Sequence, residues 1–461
     1  MEYGAIKTRE KITRKEKREA IKTKKLVAEL WKIIKHFFPG LISMLSQVED
    51  RRHASYVDYA CQVLLCTRIL GAVFQLKSMR AMSSTLNRET CFQNISRILG
   101  SDKELDELPH WKTINDYLEK LQPSELEKII PQLINRLTRM HTFENSLIRD
   151  RYWQILVDGT HLFTFDERHC EHCLKKEFKD KEGNVIRTEY YHSVLEAKLV
   201  LGDNLIVSIG TEFIVNESEE YVKQDCELKA FYRLAEKLKQ HFPRLPICLG
   251  LDSLYAAGPV FGICEKYGWK YIIRFKDGSI PSVAEEFEAL KDMEPEQTWT
   301  KNTKNIEKNK VTYKYVTNIS YQTYELNVVE YREQKDDGSE ISFVFITNLA
   351  IVKKCHAELL VLDGRRRWKI ENEGFNEQKN HGLGLEHMFS EDYNAMQNHY
   401  YLIQIGHMIS QFLEAGLRKI RALENLSCYQ IFEDIKESFR TMVLTDEDAE
   451  SVAQLTQYRI R

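Results

Sequence analysis

Two short apolar runs, each closing on an aspartate, constrain this chain more than any other feature. Trp153-Gln154-Ile155-Leu156-Val157 ends in Asp158-Gly159-Thr160, and Leu245-Pro246-Ile247-Cys248-Leu249-Gly250-Leu251 ends in Asp252. Runs this short and this apolar read as strands buried on both faces. An acid at the tip of such a strand can face a crevice while the strand stays in the core. The two aspartates lie 94 residues apart. Two carboxylates on neighbouring strands repel unless they share a cation or hold a proton. Mg2+ suits such a pair, because it takes one or two carboxylates and completes its shell with water and phosphate oxygens. Two unrelated turn-capping aspartates would leave the same trace, so spacing alone does not separate the readings.

Around these strands the texture changes three times. Residues 1–25 hold ten Lys and Arg against four Glu, a basic arm of the kind that meets nucleic-acid phosphates or simply stays solvated. From Leu26 to about Leu147 apolar residues recur at helical spacing, with Pro39-Gly40 as a break. These helices read as a bundle or as a helix-turn-helix. Strands are expected at Trp153–Val157, His192–Leu201, Asn204–Phe213, Leu245–Leu251 and Trp269–Phe275, with a helix over Val222–Phe242. From about Glu285 to Asn348 the chain is β-rich and polar, and Asp336-Asp337-Gly338 supplies a hairpin turn. After Leu349 it reads as helical to the end. The expected divisions are therefore 1–148, basic leader and helical DNA-binding domain; 149–284, first part of an α/β domain; 285–348, β-rich insertion; 349–425, second part of the α/β domain; and 426–461, helical tail.

Composition narrows the function classes. The chain has 461 residues, 43% hydrophobic and 29% charged, with a net charge of −3. This excludes a fully disordered chain and one that is basic throughout. No apolar run reaches the ~18–20 residues that span a bilayer. Ten Cys without secretory context read as reduced thiols. No phosphate-cradling Gly-rich loop or dinucleotide fingerprint is present, which disfavours ATP-driven or redox chemistry.

A third segment joins the two aspartates: Arg365-Arg366-Arg367-Trp368-Lys369-Ile370-Glu371-Asn372-Glu373-Gly374-Phe375. On an α-helix, Trp368, Glu371, Asn372, Phe375 and Lys379 share one face, with Arg367 a turn before Glu371. Adjacent arginines suit a phosphate partner, because guanidinium forks match its geometry. A solvated amphipathic helix is the plain alternative.

Taken together, Val157-Asp158-Gly159-Thr160, Leu251-Asp252-Ser253, Phe345-Ile346-Thr347-Asn348-Leu349 and Arg367-Trp368-Lys369-Ile370-Glu371 resemble the DDE transposases of bacterial insertion sequences. The resemblance is to the branch with a β-strand insertion between the second and third acids, and it covers about residues 80–420. It implies an α/β, RNase H-like mixed sheet flanked by helices, interrupted by a β-rich insertion, with an N-terminal helical domain. It implies that Asp158, Asp252 and Glu371 are catalytic and bind two Mg2+ (or Mn2+) ions, about 3.5–4 Å apart, for phosphodiester hydrolysis and strand transfer. Arg367, Lys379 and Arg366 would contact DNA phosphates. The implied partner is double-stranded DNA, at element ends and target, held by a homodimer, in the cytoplasm and associated with the nucleoid. A transposase-derived DNA-binding regulator without catalysis, or a non-transposing nuclease, would share these residues.

The chain departs from the family pattern twice. The family carries a Tyr three residues before the Arg, where this chain has Gly364, and a Lys seven residues after the Glu, where it has Gln378 followed by Lys379. These departures keep Glu373 as an alternative third acid.

His169-Cys170-Glu171-His172-Cys173 carries a Cys-x-x-Cys half-site with two flanking His, a candidate for structural Zn2+. The other half would come from elsewhere, with His192 or Cys226 as options. His161, Tyr190, Tyr191 and Trp299 are candidates for phosphate or base contacts, and packing is the simpler role for each.

Overall fold

The computed structural model describes residues 25–460, apart from 54, 56, 102–104, 217–223, 277, 303–308, 421–422 and 424–425. Of the basic arm, all but Lys25 lies outside the described residues. No described helix is long and apolar enough to cross a membrane. The chain forms two compact units, one of residues 130–379 and 385–387, the other of 1–129, 380–384 and 388–461.

The first unit is built on a ten-stranded mixed sheet. Its strands are β1 (Trp153–Phe165), β2 (Leu174–Lys179), β3 (Val185–Val200), β4 (Ile206–Ile214), β5 (Ile247–Leu251), β6 (Lys270–Phe275), β7 (Thr298–Asn302), β8 (Lys310–Tyr321), β9 (Tyr324–Gln334) and β10 (Glu340–Thr347). Strand β3 pairs antiparallel with β1 on one side and with β2 and then β4 on the other. Strand β5 lies parallel between β1 and β6. The order β4-β3-β1-β5-β6, three antiparallel strands followed by two parallel ones, is the RNase H-like arrangement. All five residues of β5 are buried, as a central parallel strand covered on both faces requires. Helix Glu227–His241 covers one face; a Cβ on Gly210 of β4 would lie 3.1–3.2 Å from its Leu238 and Leu234, so the helix packs close where the strand has no side chain. Helix Lys354–Arg365 covers part of the sheet further along, laying Ala357, Leu360 and Val361 on Val311, Tyr313, Val329, Tyr331 and Phe345.

The β-rich insertion is not a separate body. Strand β10 pairs antiparallel with β6 over Val344–Thr347, so β7–β10 extend the same sheet. The expected division at residues 285 and 348 therefore cuts through one hydrogen-bonded ladder. Strand β1 also continues well past Asp158, β3 begins at Val185 rather than His192, and β2 was not expected.

The second unit is helical. Its N-terminal helices Leu26–Phe37, Cys61–Val73, Glu89–Leu99 and Trp111–Lys120 pack with the C-terminal helices Tyr393–Leu417 and Cys428–Thr441. Tyr393–Leu417 is buried around nearly its whole circumference. Asn398 donates from its amide to the carbonyls of Leu118 and Leu121, both at 2.8 Å. Asn94 likewise ties Phe439 and Met442. The helices Cys428–Thr441 and Asp446–Ala453 of the expected helical tail pack in this bundle. Arg68 is buried in it, donating to His399 Nδ1 (3.0 Å) with its guanidinium 4.3 Å from the Phe389 ring centre.

Candidate active site

The parallel pairing of β1 with β5 brings the two aspartates together. Its register matches Trp153 with Ile247 and Leu156 with Gly250, an offset of 94 residues. The same offset separates Asp158 from Asp252, and Asp252 keeps extended backbone one residue past the end of β5 (φ −85°, ψ −178°). Continued by two residues, the register sets the two acids side by side at the spacing of neighbouring strands, about 4.8 Å. Beyond Leu156, β1 runs on beside β3 while β5 stops. Asp158 therefore lies in mid-strand at a notch in the sheet, not at the end of its own strand.

Each carboxylate is oriented locally. Asp158 Oδ1 accepts from the Gly159 amide (3.0 Å), and Asp252 Oδ1 accepts from the Leu254 amide (2.9 Å), capping the turn Ser253–Tyr255. Glu371 arrives from a π-helical turn, Ile370–Asn376. Arg367 links it to the strand acid: Nη1 lies 3.2 Å from Asp158 Oδ2 and Nη2 2.7 Å from Glu371 Oε1. Arg367 thus forks between two carboxylates, where the sequence reading expected it at a DNA phosphate.

Electrostatics define a crowded site. Burial pushes the Asp158 carboxyl up to about 7; Arg367 opposes this, while the charges of Glu371, Asp252 and Glu227 add to it. Glu227, first residue of its helix, is a fourth acid that the sequence reading did not single out. It too is held above the usual carboxylate range, by burial and then by Asp252. Gly159 makes room for it: a Cβ there would land on the Glu227 carboxylate, well inside contact distance. Tyr255 is fully buried near Glu227, Asp252 and Asp158, and its hydroxyl has no hydrogen-bond partner among the described residues.

The two departures from the family pattern have physical explanations here. A Cβ at Gly364 would lie 2.6–2.9 Å from the Phe345 ring, so a tyrosine has no space at this position. A π-turn is an α-helix carrying one extra residue. The turn Ile370–Asn376 carries Glu371 near its start and ends before Lys379, so the extra residue falls within the stretch that separates the two and offsets the eight-residue spacing. Gln378 is fully buried. Lys379 pairs with Glu386 (2.7 Å). It is also close enough to His161 on β1 that its charge, after burial, lowers the imidazole pKa.

Other expected contacts are engaged differently. Arg366 pairs with Asp363 (3.1 Å), whose carboxyl burial raises to about 6. Glu373 pairs with Lys369 (3.3 Å). Trp368 is half exposed beneath the Arg367 guanidinium and is not a buried anchor. Trp299 stacks on Tyr313 and donates to Glu358, and Tyr191 packs edge-on against His161.

Residues 223–409 match the family model described as the transposase DDE domain. Over this stretch, less than half of its length, the chain is similar to a transposase DDE domain. The matched span contains Glu227, Asp252, Arg367, Glu371 and Lys379, while Asp158 lies ahead of it. Among solved structures the chain is similar to a piggyBac transposase synaptic complex with hairpin DNA, at 11% identity and a TM-score of 0.41, over 94% of this chain and 86% of that one. No curated protein matches it in sequence. Around Asp158 the structure gathers the charges of Asp252, Glu371 and Glu227, opposed by Arg367.

Proposed function

We propose that this protein is a transposase that cleaves and rejoins DNA at the ends of a transposable element, with Asp158, Asp252 and Glu371 as its catalytic carboxylates. The observation that carries the reading is the shared 94-residue offset of the β1–β5 register and of the two aspartates, with Glu371 tied to Asp158 through Arg367.

The residues fit divalent metal. Asp158, Asp252, Glu371 and Glu227 act on one another electrostatically, against the single charge of Arg367 that bonds two of them. Asp158 relieves this excess by keeping its proton up to about pH 7. A dication would relieve it without the proton. Asp158, Asp252 and Glu371 would hold Mg2+ or Mn2+, two ions in the two-metal form. Bound there, the ions would lower the pKa of an attacking water or 3′-hydroxyl and neutralise charge on the phosphate oxygens.

The chain's own groups do the positioning. Arg367, released from Asp158, can turn its fork to a non-bridging oxygen, because the carboxylate and phosphate geometries it matches are alike. Lys379 brings a positive charge toward the same edge of β1. Arg366 would reach a phosphate only by leaving Asp363. DNA is the implied partner, and most of its affinity would be salt-dependent phosphate contact. A homodimer would hold two ends together.

The test uses labelled duplexes taken from the DNA flanking the coding sequence. Wild type should nick and join these in Mg2+ or Mn2+, while Asp158→Asn, Asp252→Asn and Glu371→Gln bind without cutting. Variants that cut at the wild-type rate refute the assignment. End-specific binding without cleavage in either metal marks a regulator, and equal cleavage of unrelated duplexes marks a nuclease.

A further inference from the structure

The loop between β1 and β2 folds back on β3 and gathers three soft ligands. Cys170 Sγ lies 3.7 Å from Cys173 Sγ and 3.4 Å from His192 Nε2, and Cys173 Sγ lies 3.5 Å from that same nitrogen. Cys173 and His192 are buried, and Cys170 is half-buried. All three ligand atoms fall within 4.8 Å of one another. A disulfide is not formed, since it would need the sulfurs at about 2.05 Å. The spacing is that of a shared ion. With Zn–S near 2.3 Å and Zn–N near 2.0–2.1 Å, tetrahedral ligands stand about 3.8 Å apart for two sulfurs and about 3.6 Å for sulfur and nitrogen.

The surroundings hold the ligands in place. Arg168 donates to the carbonyls of Cys170 (3.2 Å) and Glu171 (3.1 Å), bending the loop around its guanidinium. The buried Asn216, just beyond β4, donates to the Cys173 carbonyl (3.2 Å). The Cys173 amide closes the turn onto the Cys170 carbonyl (3.3 Å). His192 is fixed by sheet pairing, opposite Phe163 of β1. Ligands on a preformed frame lose less freedom on binding an ion, which favours its retention.

We propose that Cys170, Cys173 and His192 bind a structural zinc ion that fastens the β1–β2 loop to β3, at a place separate from the carboxylate site. The partner of the Cys-x-x-Cys half-site is then His192, on the strand beyond the hairpin. His169, stacked on the Phe165 ring, and His172, beside the Asn216 carbonyl, are not among the three converging ligands. The fourth position is left to water or to a swing of one of these two rings. The ion would brace the root of the β2–β3 arm, whose Lys176 and Arg187 lie over the Phe178 ring.

The experiment takes the full chain purified without chelator and measures metal by mass spectrometry. One zinc per chain is expected, with loss of that zinc in Cys173→Ser and in His192→Gln. Asp158→Asn and Glu371→Gln should keep it, which separates this site from the carboxylate site whatever their effect on cleavage. Because the cysteine variant can fail by misfolding, Co2+ is also exchanged into the wild-type chain. Sulfur-to-cobalt charge-transfer bands support the site, since carboxylates cannot produce them. Substoichiometric zinc in the wild type, or cobalt spectra without thiolate bands, overturns the proposal.

Discussion

The Asp158 carboxyl gives the sharpest test of the acid cluster, because its burial has a thermodynamic sign. Its pKa is near 7 in the folded chain, against an ordinary value of 3.8. Between these values the folded protein holds a proton that the unfolded chain has released. Stability must therefore fall as pH rises through that window and level off above it. Three pH units at about 1.4 kcal/mol each set a ceiling of roughly 4 kcal/mol. Asp158→Asn removes this penalty, which is already net of the favourable charge of Arg367. The expectation at pH 8 is a variant more stable than wild type by up to about 4 kcal/mol, with the advantage gone near pH 4. On the proposed assignment Mg2+ should reverse the order, because it would stabilise the ionised wild-type site and have less to bind in the variant. Chemical denaturation from pH 4 to 9, with Mg2+ or with EDTA, reads both effects. If the two proteins show parallel pH profiles and equal Mg2+ stabilisation, Asp158 is neither crowded by the other acids nor a ligand, and the site as built here is wrong.

Three further outcomes follow from the packing. Gly159→Ala should push the Glu227 carboxylate from its seat with little change in melting temperature but weaker Mg2+ stabilisation; an unchanged Mg2+ response separates Glu227 from the site. Gly364→Ala should destabilise the sheet unit by about 1–3 kcal/mol, because the Phe345 ring must yield to the new methyl; a melting curve equal to wild type rejects that contact. Lys379→Ala should raise the His161 pKa by removing a neighbouring positive charge, read by NMR titration of the imidazole. A fall or no change would place Lys379 away from β1.

What could be read from the chain depended on burial. The cores of β1 and β5 announced themselves because parallel strands covered on both faces must be apolar throughout. The β2–β3 hairpin did not, because Lys175, Lys176, Glu177, Arg187 and Glu189 put charge on both faces of these strands and leave no apolar period. Glu227 was invisible for another reason: a glutamate opening a helix is the ordinary complement to the helix dipole, and only the fold brings it to Asp252. His192 pairs with Cys173 across 19 residues, a distance set by hairpin register and not by any motif. The helical face drawn through Glu371 assumed α-helical rotation throughout, which the π-turn breaks. The expected separateness of the insertion and of the C-terminal segment rested on changes of texture, which do not reveal which edges pair.

The ladder between β6 and β10 bears on modular engineering. A segment hung from a domain by two loops can be clipped out and its stumps rejoined. Here the excision of β7–β10 would strip β6 of β10, its neighbour on that side among the described residues, and leave a run of unmet amides and carbonyls along Ile272–Phe275, a template for unwanted aggregation. Any shortened version of this protein therefore needs a replacement border for β6, and any transplant of the segment must carry a host strand to dock against.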